Sequence, residues 1–306
     1  MYQKIKHYLQ DDEFVNPWPS LMQFVIRIIN EKPKHILIPG LIASAYGGEL
    51  ARQVMANASL TLLFSAIIAV DSILDGDEGG PMAGYSCGEL ANMSLGLAGW
   101  SAHILRGLTE TPHVYSEGIA TISRLLYQVS FGQALDSSNP ETEEAYWQLA
   151  VMKSGAFFSG AFSLGGLVGG ASAADLTRLS ALGQYYGVML QIHDDLRDAL
   201  EVPANSDWMN GRNTLPILYA HLVDHPERDR FRAVRKQVVD NRRLEEAQSI
   251  LVRSGALSYG LYQIQMLDQQ AAQELEGLSS INDADIRRMF AELVQPVERL
   301  LDAVAV

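Results

Sequence analysis

Residues 185–201 read YYGVMLQIHDDLRDALE. The apolar lead-in of Val188, Met189, Leu190 and Ile192 runs into Asp194, Asp195 and Asp198 with no proline or turn residue between, so the stretch reads as one helix ending in a cluster of carboxylates. Asp194 and Asp198 stand four apart and therefore project from one face. Residues 66–78, AIIAVDSILDGDE, repeat the arrangement, with Asp71 and Asp75 four apart at the carboxyl end of an otherwise apolar helix. Carboxylates gathered on buried-looking helices cost desolvation and like-charge repulsion, and a bound cation is the simplest compensation. Their hard oxygens select Mg²⁺ or Mn²⁺. The bland alternative, an acidic helix end on the surface, explains one such cluster more readily than two.

Helical signals continue on both sides of these stretches. Trp18 to Ile29 is apolar-periodic, Lys32-Pro33-Lys34 breaks it, and a further helix begins near Pro39. A long apolar helix covers Gly48 to Leu74 and ends in Gly76-Asp77-Glu78-Gly79-Gly80-Pro81. Further helices are expected over 85–108, 112–135, 141–170, 173–201, 213–223, 227–239, 243–254, 256–276 and 283–303. Ala, Leu, Gln, Glu and Met abound, only 11 residues are Pro, and alternating β-branched runs are scarce. The expected class is all-α. With 306 residues, 48% of them hydrophobic, and no internal repeat or low-complexity linker, the expectation is one domain over 1–306.

A formal net charge of −13 repels nucleic acid and anionic lipid, which excludes nucleic acid as a partner. A small anionic substrate is still admissible where divalent cations intervene. Cys87, the single cysteine, rules out an intrachain disulfide framework and fits a reducing compartment, with the cytoplasm the default. The start, MYQKIKHYLQDDEF, is too polar for a secretory signal. No segment is expected to reach the length of a membrane span; the longest apolar stretch, Leu60 to Val70, contains Thr61 and Ser65 and reads as a buried helix.

Other residues have two readings each. Lys153 is either a lysine snorkelling from an apolar helix or, given the aspartates, a cation for an anionic substrate. His193 beside Asp194 reads as packed or hydrogen-bonded, since an aspartate-rich Mg²⁺ site needs no imidazole. Gly160 to Gly170, GAFSLGGLVGG, lacks the ending of a phosphate loop and reads as close helix packing. Phe157, Phe158, Tyr185 and Tyr186 read as core, with the lining of a cavity as the alternative.

Taken together, these residues resemble the trans-prenyltransferase (polyprenyl diphosphate synthase) family. Its first aspartate motif, D-D-x-x-D, stands here in degraded form as Asp71-Ser72-Ile73-Leu74-Asp75. Its second, Q-x-x-D-D-x-x-D, is intact from Gln191 to Asp198. Lys153-Ser154-Gly155 looks like the family's K-T-G, and Gly211-Arg212-Asn213-Thr214-Leu215-Pro216 is similar to its G-K-x-T-L-P. The order and approximate separations match over residues 30 to 220. The resemblance implies a class I isoprenoid synthase bundle of long helices around a central cavity. It implies Mg²⁺ (or Mn²⁺) on Asp71, Asp75, Asp194, Asp195 and Asp198, an allylic prenyl diphosphate touched by Lys153, Ser154, Gln191 and Arg212, and a homodimer. If the two aspartate helices face each other across a cavity, metals on both neutralise the diphosphate as its carbon–oxygen bond breaks.

Departures from the family bear on the acceptor. Its G-K-R-x-x-P, whose cations grip isopentenyl diphosphate, aligns with Lys34-His35-Ile36-Leu37-Ile38-Pro39, and the Arg-Arg after its first motif is replaced by the Glu78-Gly79-Gly80 region. Two bidentate donors are thereby lost. The expected activity is ionisation of the allylic diphosphate with prenyl transfer to an acceptor other than conventionally bound isopentenyl diphosphate. Its alternatives are cyclisation as in terpene synthases, chain elongation as in short-chain synthases, and a non-catalytic subunit of a synthase. Ala66 and Ile67, where the family often places bulk, suggest a longer prenyl chain; the chain length, the product and the acceptor stay open.

Overall fold

The computed structural model describes residues 1–306 except Asn16, Asp77, Glu78, Thr109, Glu110, Ile281, Ala305 and Val306, and it describes 296–304 by backbone alone. Asp77 and Glu78, read above as part of an acidic loop, lie outside the described residues. Among the described residues every regular element is a helix. They are α1 (Tyr2–Gln10), α2 (Pro19–Asn30), α3 (Ile38–Ala45), α4 (Leu50–Asp75), α5 (Cys87–Ile104), α6 (Pro112–Ser137), α7 (Glu143–Ala150) and α8 (Ala156–Gly169). There follow α9 (Ala173–Ala199), α10 (Ser206–Met209), α11 (Leu215–Leu222), α12 (Arg228–Val234), α13 (Asn241–Arg253), α14 (Ala256–Glu276) and α15 (Ala284–Val304). The all-α expectation holds, with most boundaries within two residues.

The chain divides into two compact units. The first comprises 1–130, 157–183 and 274–287; the second comprises 131–156, 184–273 and 288–306. Each recruits segments scattered along the sequence, so no linker marks a boundary between them.

In the first unit α4 is buried on nearly every side from Val54 to Leu63, which is why its sequence is apolar all round rather than striped. Three of its buried polar side chains are hydrogen-bonded: Thr61 Oγ1 donates to Asn57 O, Ser65 Oγ to Thr61 O, and the Asn57 carboxamide oxygen accepts from Gly40 N at 2.7 Å. The Gly160–Gly169 stretch is close packing, as read from sequence: a Cβ on Gly160 would meet Leu125 at 2.3 Å, and one on Gly165 would meet the Pro39 carbonyl at 2.6 Å. Phe157 and Phe158 are core, packed edge-on to each other and to His35.

The polar amino terminus, to which the sequence reading assigned no element, forms α1, whose Ile5 and Leu9, spaced i and i+4, are fully buried. Two sequence expectations need correction. The helix expected over 141–170 is interrupted by a π turn, Val151–Gly155. Two helical stretches, Leu50–Asp75 and Glu143–Gly169, are long and apolar enough to cross a membrane by length and composition, contrary to the expectation that none is; 72% and 67% of their apolar windows are buried inside the protein, as in core helices.

The second unit has its own core, in which Trp208, Ile217, Phe231, Leu244 and Ile250 pack around Ala199 at the end of α9. Trp208 anchors that end directly, its indole N–H donating to Ala199 O at 3.2 Å.

Candidate active site

In the second unit the site begins with the end of α9. Asp194 and Asp198 are partly exposed there, and Arg197 lies between them, 3.1 Å from an Asp194 oxygen and 3.0 Å from an Asp198 oxygen. Burial, opposed by Arg197 and reinforced by Asp198, holds the Asp194 carboxyl above its ordinary range. Both residues sit in the last turns of their helix, where the macrodipole is negative and disfavours a carboxylate.

Asp195 differs from both. It is 4% exposed and accepts three hydrogen bonds, from Tyr146 Oη (2.8 Å), the Leu215 backbone N–H (2.8 Å) and the Gln191 amide (2.9 Å). Burial pushes its carboxyl up to about 6 against the pull of these donors. The sequence reading grouped Asp194, Asp195 and Asp198 alike; the structure leaves Asp194 and Asp198 partly exposed and turns Asp195 into a tie from α9 to α7 and to the start of α11. Gln191 is itself held by Ser154, whose hydroxyl donates to its carboxamide oxygen at 2.6 Å. Ser154, Gln191, Asp195 and Tyr146 thus form one chain of hydrogen bonds across three elements.

Lys153 and Ser154 lie on the π turn. One extra residue in a turn re-aims the side chains on it, and such turns are frequent at functional positions. The turn is pressed against α6: a Cβ on Gly132 would lie 2.5 Å from Lys153 N. Lys153 Nζ pairs with Asp136 at 2.6 Å, and Arg212 donates to the Asp136 carbonyl at 2.7 Å, so both candidate substrate cations converge on the end of α6. The Arg212 segment is fastened there as well. Asn139 donates to Gly211 O and accepts from Asn213 N, and Arg235 donates to the carbonyls of Gly211 and Arg212. His193 is hydrogen-bonded to the Leu293 carbonyl at 2.7 Å, the hydrogen-bonded histidine expected from the sequence.

Sequence reasoning missed Asp136, Tyr146 and Arg197. Asp136 lies one residue past the end of a predicted helix with no motif around it, and Tyr146 meets Asp195 across 49 positions, so neither left a local signal. Arg197 lies inside the quoted motif and was passed over.

In the first unit Asp71 is half-buried and Asp75 exposed, at the very end of α4, where Gly76 takes up φ 72° and stops the helix. Beside them a cavity of about 440 Å³ is lined by Ile28, Glu31, Phe64, Ile68, Ser72 and Met82, with further lining from Pro33 and Gly79 to Pro81. Among the described residues no Lys or Arg lines it. His35, which stands where the resembled family has a cation, is held uncharged by burial, its pKa near 4.

Among the described residues no three His, Cys, Asp or Glu side chains are grouped so as to hold a metal ion. The donor set nonetheless fits a hard divalent cation. Asp71, Asp75, Asp194 and Asp198 are oxygen donors in i, i+4 pairs, each pair at the unfavourable end of its helix.

An all-α chain that closes two long helices with aspartate pairs and brings a lysine and an arginine to one helix end matches a known family over most of its length. The polyprenyl synthetase model covers residues 40–251. The chain is 29% identical to the short chain isoprenyl diphosphate synthase of Methanothermobacter thermautotrophicus over 274 residues, 83% of this chain and 82% of that one. Its fold is like that of a geranylgeranyl pyrophosphate synthetase from Pyrococcus horikoshii (TM-score 0.81, 19% identity, 96% and 94% of the two chains). It is also like that of a Caulobacter crescentus polyprenyl synthase complexed with calcium and isoprenyl diphosphate (TM-score 0.79, 19% identity, 96% and 92%). This chain belongs to the polyprenyl synthetase family and is a prenyltransferase with the all-α class I fold.

Proposed function

We propose that the protein ionises an allylic prenyl diphosphate with Mg²⁺ and transfers the prenyl group to an acceptor other than isopentenyl diphosphate. The observation that carries this reading is the set Asp194, Asp198, Lys153 and Arg212, which pairs metal-type oxygen donors with anion-type cations in the second unit. Asp194 and Asp198, and separately Asp71 and Asp75, would hold Mg²⁺, which when bound neutralises the departing diphosphate. Lys153 and Arg212 would bind the diphosphate oxygens, Lys153 exchanging Asp136 for the substrate. Asp195, Gln191, Ser154 and Tyr146 would act by positioning, fixing the end of α9 against the π turn and α11.

The cavity beside Asp71 and Ser72 supports a neutral acceptor. It is apolar, and its charged lining residue is Glu31. Among the described residues its lining offers an anionic diphosphate no Lys or Arg, so only metal held at Asp71 and Asp75 would offset the charge of a diphosphate desolvated there beside Glu31. Chain elongation is the second reading, favoured by the relatives, which are named as isoprenyl diphosphate synthases. We place the reaction in the cytoplasm and the protein in a homodimer.

The test is diphosphate release from geranyl, farnesyl and geranylgeranyl diphosphates with Mg²⁺, with EDTA, and in Asp194→Ala. Release that requires Mg²⁺ and falls by about 10³ or more in the variant supports the reading, given the several kcal/mol a metal supplies. Release that persists in EDTA removes the metal from the account.

A further inference from the structure

The second unit has another cavity, about 790 Å³, behind the segment that carries Arg212. Gly211 and Asn213 of that segment line it, with residues of α11, of α12 and of the 3₁₀ turn Arg235–Gln237. Arg232, Arg235 and Lys236, spaced i, i+3 and i+4, share one helical face and all contribute to this lining. His221 joins them from α11, and buried Trp208 and Leu218 add apolar surface. The cavity's lining carboxylate among the described residues is Glu141, which is exposed. Asp229 lies 3.7 Å from Arg232 and is 91% exposed, so its charge is largely screened by water.

Three cations on one face repel one another, and a chain of net charge −13 has carboxylates to spare for neutralising them elsewhere. Carboxylate compensation here is slight: among the described residues Arg232 reaches the exposed Asp229, and its guanidinium also donates to the His221 carbonyl at 2.8 Å. Arg232 Nε and His221 Nδ1 are buried without a hydrogen bond among the described residues. Arg235 is already oriented, because its guanidinium donates to the carbonyls of Gly211 (2.8 Å) and Arg212 (2.7 Å). Burial first, and then the three cations, hold His221 below its ordinary pKa, so near neutral pH its imidazole is an uncharged hydrogen-bonding group. Planar guanidinium forks with an adjacent ammonium are the side chains suited to phosphate oxygens.

We propose that this cleft is a second anion site, taking a soluble phosphate- or diphosphate-bearing small molecule on Arg232, Arg235 and Lys236. Because Arg235 also fixes the Gly211–Arg212 carbonyls, occupancy bears on the segment that presents Arg212, which makes the site a regulatory one. Anion binding in the cleft is independent of the acceptor and of the reaction assigned above; its regulatory consequence rests on the role proposed there for Arg212.

Titration calorimetry of the full chain with inorganic diphosphate in EDTA tests it, since without divalent cations the aspartate pairs repel the probe. The expected result is saturable binding at one site per chain, weakened about tenfold or more by Arg232→Gln with Lys236→Gln and unchanged by Lys153→Gln. Lys236→Glu is the companion variant: its side chain is exposed, so the fold does not depend on it, and it too weakens binding. No saturable binding, unchanged affinity in both cleft variants, or loss in Lys153→Gln alone would each overturn the proposal. Sedimentation with phosphatidylglycerol vesicles without binding of free diphosphate would overturn it in favour of a lipid surface.

Discussion

Replacing Tyr146 by Phe removes one hydroxyl from the hydrogen-bond chain that positions the carboxylate helix. The ring stays, with its edge-on contact to Trp147 at 5.2 Å, so the effect is not that of a cavity. What is lost is the 2.8 Å donor to Asp195 at a site where both side chains are buried. A hydrogen bond to a buried charge contributes about 1.5–3 kcal/mol. With a urea slope of about 3 kcal/mol/M, a loss of about 2 kcal/mol lowers the unfolding midpoint by about 0.7 M. The deficit has a pH signature. Asp195's carboxyl is raised to about 6 in the folded protein, above its unfolded value, so its linkage contribution is fully present below the unfolded pKa and is lost as pH rises through about 6. Above that, the ionised carboxylate needs the Tyr146 donor most. The deficit of the Phe variant is therefore largest near pH 7.5 and shrinks near pH 5, as urea melts at the two pH values will show. A deficit under about 0.5 kcal/mol at pH 7.5, or one equal at both pH values, would refute the role given to this bond.

Gly132→Ala drives a Cβ to 2.5 Å from Lys153 N, so the π turn must shift; kcat/KM for the allylic diphosphate is expected to fall more than tenfold in steady-state assays while helicity by circular dichroism is retained. Asp198→Asn keeps the fold and raises the Mg²⁺ concentration for half-maximal activity, measured by metal titration. Buried His35, with its pKa lowered to about 4, contributes stability present above the unfolded value near 6.5 and lost as pH falls towards 4. Between pH 7 and pH 5 the wild type should therefore lose about 2 kcal/mol relative to His35→Leu in denaturant melts. Gly165→Ala, whose Cβ would stand 2.6 Å from a backbone oxygen that cannot swing aside, is expected to lower the unfolding free energy by about 1–3 kcal/mol.

The helices were legible in the sequence because their signals are local. The apolar run before Asp71, the cap at Gly76 and the glycines after Gly160 each state their own structure within a few residues. The π turn was not legible, because helical periodicity continues through Val151–Gly155 and the residue it packs against, Gly132, lies 21 positions from Lys153. Helix α1 escaped notice because only Ile5 and Leu9 of its nine residues are buried, too sparse a stripe to stand out in a polar segment. Within the site, spacing located Asp194, Asp195 and Asp198 together but could not separate them. Their different tasks come from Tyr146 and the Leu215 amide, partners 49 and 20 positions distant. Asp136, the partner of Lys153, was invisible for the same reason.

The most direct measurement is diphosphate release and product identity with Mg²⁺ and each allylic diphosphate, with and without isopentenyl diphosphate. The account predicts release that isopentenyl diphosphate neither triggers nor accelerates, abolished in Asp194→Ala. Release only in its presence, together with a longer prenyl diphosphate, would contradict the account and make this a chain-elongating synthase.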